Sequence, residues 1–136
     1  MRSIQTVTLD DARRVIAAGE KEAANQGVPM NIAVVDVGGI LVAHIRQDRA
    51  WIGSVDIAIN KAFSARAFDI STQALGESAE PGGQFYGIQD SNSGRIMIFG
   101  GGVPLMSGDD VVGGVGVSGG TGEQDQAVAT AAAAAL

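Results

Sequence analysis

GRIMIFGGGVPLMSGDDVVGGVGVSGGTGEQD, residues Gly94–Asp125, is the stretch on which the fold turns. It holds 11 of the chain's 20 glycines, alternating with short β-branched runs. Ile96–Phe99 and Val111–Val117 are predicted as strands, with Ser107–Asp110 as the turn between them. Glycine weakens a strand, so its presence inside one marks a bulge or the close approach of a ligand or another backbone. Downstream, Ser118-Gly119-Gly120-Thr121 leads into a helix. Thr121 and Gln124 have capping-box spacing, which places the helix start at about Gly122. Bare amides on a glycine-rich turn at a helix N-terminus suit an anionic group. Two acids, Glu123 and Asp125, sit at the same helix start. The structural alternative is a glycine-rich hairpin that packs tightly. Gly114-Val-Gly116-Val-Ser-Gly119 also spells a dinucleotide-binding fingerprint, which requires an acidic residue about 20 positions further on. The sequence ends 17 residues after Gly119, so that reading is rejected.

Around this stretch, 136 residues suit one domain, 1–136, with a real core. The chain is 46% hydrophobic but only 4% aromatic, so small side chains dominate and favour close packing between elements and between copies. A net charge of −6 argues against nucleic acid. No run is apolar enough to span a membrane, and no apolar segment follows the opening Met-Arg-Ser-Ile-Gln. Without cysteine, disulfides, thiol catalysis and zinc–thiolate sites are excluded; the cytoplasm is the default expectation. A single histidine excludes a multi-histidine metal centre, so no metal site is expected.

Thr8 caps a first helix that carries Asp10 and Asp11 in its first turn, shows a stripe of Leu9, Ala12, Ile16 and Ala23, and stops at Gly27. Ile32–Val35 is a buried strand, Asp36–Gly39 a turn, and Ile40–Arg46 the return strand of a hairpin. On that return strand Val42, His44 and Arg46 share one face, near Trp51, as a candidate wall of a polar site. A second helix spans Gly53–Ile70 with Ser54 as its cap, an apolar face, and a polar stripe of Asp56, Asn60 and Ser64 beside Lys61. Lys61 needs a partner or a ligand, because burying an unpaired charge is costly. In such surroundings it also serves as a candidate base. Ser71–Gln89 reads as short helical turns and a loop, where Tyr86 offers an aromatic edge. An alanine-rich helix closes the chain.

Five segments together resemble the GlcG/HbpS-like family, the haem-degrading domain that includes the C-terminal domain of PduO-type proteins. They are Ile32–Gly39, Gly53–Ala62, Pro81–Gly87, Gly94–Leu105 and Val117–Asp125. The resemblance runs from Leu9 to Ala134. It implies a profilin-like α+β fold, a five-stranded antiparallel sheet with helices on both faces, assembled as a homo-oligomer from dimer to octamer. It also implies a small-molecule ligand, with haem as the candidate cofactor. Haem requires an axial ligand or an apolar slot, and the donors available are His44, Tyr86, Lys61, Met30, Met97 and Met106. The alternative is a cofactor-free enzyme acting on a small organic acid. It would use Lys61 and Glu123 as the acid–base pair, Arg46 as carboxylate clamp, and the Gly119, Gly120 and Thr121 amides beside Ser118 and Asp125 as the cradle. A non-catalytic sensor or assembly subunit is the third reading.

Overall fold

A computed structural model describes residues 1–136. Helix α1 (Leu9–Gln26) is followed by the hairpin β1 (Asn31–Asp36) and β2 (Leu41–Arg46), then α2 (Gly53–Phe68) and α3 (Thr72–Ser78). Two short helical turns precede β3 (Gly102–Ser107), β4 (Asp110–Ser118) and α4 (Gly122–Ala133). The strands form one antiparallel sheet in the order β2-β1-β4-β3.

Alternation along β1 sorts the two faces. Ile32 and Val34 join Val15, Ile16, Val128 and Ala129 in the main core, beneath α1 and α4. Ala33 and Val35 point the other way, against Ala58 and Ala62 of α2. Helices therefore cover both faces, as expected. The α2 side is built differently from the α1 side, because β4 offers it glycine. A side chain at Gly116 would run into the backbone of Ala58, and one at Gly114 into Ala62. The close approach signalled by these strand glycines is that of the α2 backbone.

The sheet has four strands, not five. Ile96–Phe99 is not a strand: the Met97 amide donates to Ser64 Oγ (2.9 Å) on α2, so a side chain takes the group that a ladder would need. The hairpin forms further on, from Gly102, around the expected turn at Ser107–Asp110. Both capping boxes form, at Thr8/Asp11 and Thr121/Gln124. Ser54 is not a cap. The helix starts two residues earlier than a Ser54 cap requires, and this buried hydroxyl instead accepts a hydrogen bond from Ser118 Oγ at 3.0 Å. The same helix ends at Phe68, with Asp69 in the left-handed region at φ 54°, rather than at Ile70. Leu9 is exposed, and Val15 and Gly19 complete the stripe of α1. No helix is long and apolar enough to cross a membrane.

Candidate functional site

Two groups of polar residues lie between the sheet and α2. The first centres on Lys61. Halfway along α2, it is fully removed from solvent. Its ammonium donates to Asp125 Oδ2 (2.9 Å) and to the Val117 carbonyl (2.8 Å), and lies 4.8 Å from the centre of the Phe99 ring. The other Asp125 oxygen accepts from the Gly120 amide at 2.8 Å. Burial pushes the Lys61 pKa down, and the charge and hydrogen bond of Asp125 push it back up.

Two expectations are corrected here. The acid that meets Lys61 is Asp125, and Glu123 is exposed. Glu123 precedes Asp125 by two residues, roughly 200° around the helix, so the two cannot share a face. The amides expected to be bare are occupied as well: Gly120 serves Asp125, and Thr121 donates to Gln124 Oε1 at 3.0 Å. The turn does receive a carboxylate, but an internal one. Gly119 and Gly120 lie against Met30 and Gln124 of the chain itself, not against open space. Gly101, at φ 124°, closes the roof of the pair; a side chain there would come within 2.7 Å of the Lys61 nitrogen.

The second group lies at the N-terminal end of α2. Asn31, the fully buried first residue of β1, donates from Nδ2 to the Trp51 carbonyl at 3.1 Å. Its Oδ1 lies 3.0 Å from His44 Nε2. His44 is half-buried opposite Ala33, and Arg46 is exposed opposite Asn31. Burial, and then the charge of Arg46, push the His44 pKa below its ordinary value. Trp51 and Ile52 beside this group are 68% and 81% exposed. Of the expected wall, His44 and Arg46 share the α2-facing side of β2, and Trp51 is joined to them through its backbone carbonyl and Asn31. Ser118 belongs to the same end of the sheet, paired across from Asn31.

Tyr86 stands apart. It lines a cleft of about 390 Å³ with Pro81, Gln89, Ile98 and Phe99, and Phe99 separates that cleft from Lys61. Sequence reasoning missed Asn31 and Gly101. The signal for Asn31 was present: a polar residue opening the apolar run Asn31-Ile-Ala-Val-Val must find partners if that run is buried.

A family model for the haem degrading protein HbpS-like family matches residues 7–134. An uncharacterized 15.0 kDa protein of the dhaT-dhaS intergenic region of Citrobacter freundii is 41% identical over 131 residues, covering 96% of this chain and 92% of that one. The corrinoid adenosyltransferase PduO of Salmonella typhimurium is 32% identical over 130 residues, and this chain spans only 39% of its length. Among solved structures, Klebsiella pneumoniae protein ORFY superposes with a TM-score of 0.95 at 42% identity, covering 100% of this chain and 96% of that one. A PduOC–haem complex superposes at 0.91 with 31% identity, covering 96% of this chain and 95% of the other.

Proposed function

We propose a haem-binding role for this chain, which belongs to the HbpS-like family. The observation that carries the reading is the His44 group. It combines the chain's single imidazole, a neighbouring exposed cation and an exposed aromatic side chain. A haem ligand must offer a nitrogen lone pair, and a histidine held below its ordinary pKa is neutral at pH 7. Trp51 and Ile52 offer apolar area for a macrocycle, and Arg46 a charge for a propionate. Bound haem would supply an iron centre, and the residues around His44 would hold and orient it. The PduOC–haem relative supports the cofactor's identity.

The other donors fit less well. Met30 is buried in the core, and Lys61 would have to abandon Asp125. Met97 lies in the segment tied to Ser64. Met106 on β3 is exposed and shares a cleft with Arg14, but that guanidinium is already paired with Asp11 at 2.6 Å, and the cleft around the exposed Tyr86 holds no cation. The same burial of Lys61 gives the organic-acid reading no open route to its amine, so haem binding is preferred. Self-association is part of the reading, because Ile40, Trp51 and Ile52 are each more than 60% exposed; sedimentation at micromolar concentration tests it.

Haemin titration followed in the Soret region is the direct test. The wild-type chain is expected to shift the band to that of a nitrogen-ligated haem, and His44→Ala to weaken binding at least tenfold. Equal binding by wild type and His44→Ala overturns the assignment.

A further inference from the structure

We propose that Asn31 is a positioning residue: it fixes His44 as the Nε2–H tautomer and so makes Nδ1 the atom that meets the ligand. The inference follows from which atoms can donate. The Trp51 carbonyl can only accept, so the Asn31 atom 3.1 Å from it is the amide nitrogen. The carbonyl oxygen of Asn31 then faces His44, and it too can only accept. His44 Nε2 must therefore carry the proton. A neutral imidazole has one N–H, so Nδ1 carries the lone pair. Nδ1 has no protein partner, and it is open to solvent: Gln89 Oε1 is the one buried side-chain polar atom left unpaired.

Asn31 is fully buried, so its two hydrogen bonds form without competition from water. A water-exposed asparagine could turn its amide over; this one would lose both bonds by doing so. The identity of the helix-preceding residue is immaterial, since the Trp51 backbone carbonyl supplies the reference. The chemistry selected at Nδ1 is an electron-pair acceptor: a metal centre, or a hydrogen-bond donor on the ligand. Coordination through Nε2 would require the ring to leave Asn31. The ligand's identity as haem rests on the preceding reading; the tautomer does not.

Long-range proton–nitrogen correlation spectra of the ligand-free protein, recorded above the His44 titration, read the tautomer directly. A protonated Nε2 with a bare Nδ1 is expected. A protonated Nδ1, or shifts averaged between tautomers, overturns the proposal. In Asn31→Leu the single tautomer is expected to give way to an averaged pair; a variant that keeps the wild-type pattern also overturns it. Should Asn31→Leu fail to fold, Asn31→Asp presents an acceptor at the same position and is expected to retain Nε2–H, and a neutral ring protonated at Nδ1 alone is equally fatal. Haemin titration of the same samples separates the two claims. Failure to bind with Nε2–H intact sinks the haem reading alone. Binding with Nδ1 protonated sinks the role of Asn31 alone.

Discussion

The Lys61 ammonium and the Asp125 carboxylate meet at 2.9 Å with 0% and 4% of their side chains exposed. They tie the middle of α2 to the first turn of α4, across 64 residues of sequence. Each charge is compensated more than once: the lysine by Asp125, the Val117 carbonyl and the Phe99 ring, the aspartate by Lys61 and the Gly120 amide.

A pair this dry is easier to replace than to break. Lys61→Met leaves Asp125 charged and buried, and is expected to cost about 3–5 kcal/mol. Lys61→Met combined with Asp125→Leu removes both charges and is expected to recover at least half of that loss. Denaturant unfolding of the two single variants and the double variant measures the coupling. Strictly additive losses would show that the two residues do not act as a pair.

Two glycines of α2 and its strand make a contrasting test. Gly53, in the first turn of the helix, has nothing within 4 Å of an added methyl group. Gly53→Ala is expected to stabilise by about 0.5–1 kcal/mol, through lower backbone entropy in the unfolded chain. Gly116 has a permitted backbone for alanine but no room, because the Ala58 carbonyl and the Ala62 amide occupy the space. Gly116→Ala is expected to cost about 3 kcal/mol by overpacking. Similar melting temperatures for the two variants would mean that α2 does not rest on the strand backbone.

The glycines show what the sequence could and could not convey. Their positions inside Val111–Val117 signalled close approach, and that was sound; what approaches is α2, a partner that spacing alone does not name. The need of Lys61 for a buried acid was legible as well. Choosing Asp125 over Glu123 required the phase of a helix whose start was known only to within a residue, and one residue turns the face by roughly 100°. Ile96–Phe99 has the composition of a strand, but composition does not reveal that Ser64, 33 residues earlier, takes the Met97 amide. His44 with Arg46 emerged from simple alternation. Asn31 did not, because its role depends on a backbone carbonyl in the loop before α2.

The depressed pKa of His44 has a pH signature. Its unfolded value is about 6.5, and the folded value is lower, owing first to burial and then to Arg46. Between the two values the unfolded chain binds more protons, so stability falls as the pH drops through that window. The contribution is complete above about 6.5 and lost below the folded pKa. Unfolding midpoints measured from pH 7 to pH 5 are expected to show a decline in the wild type that is smaller in His44→Gln. Parallel curves would show that the folded environment of His44 does not disfavour its charge.

Glu123 provides the last contrast, since it shares a helix turn with Asp125 but none of its contacts. It is exposed, and its only structural benefit is a negative charge near the helix N-terminus, worth about 0.3–1 kcal/mol. Glu123→Gln is therefore expected to lower stability by no more than that, with the loss diminishing as salt screens the charge. Asp125→Asn, two residues on, removes the countercharge of a buried lysine and is expected to cost several times as much, about 3 kcal/mol or more. That loss should resist salt, because the pair is out of reach of screening ions. Chemical denaturation of both variants at low and high salt decides the matter. A Glu123→Gln loss as large as that of Asp125→Asn would return Glu123 to the role of partner to Lys61.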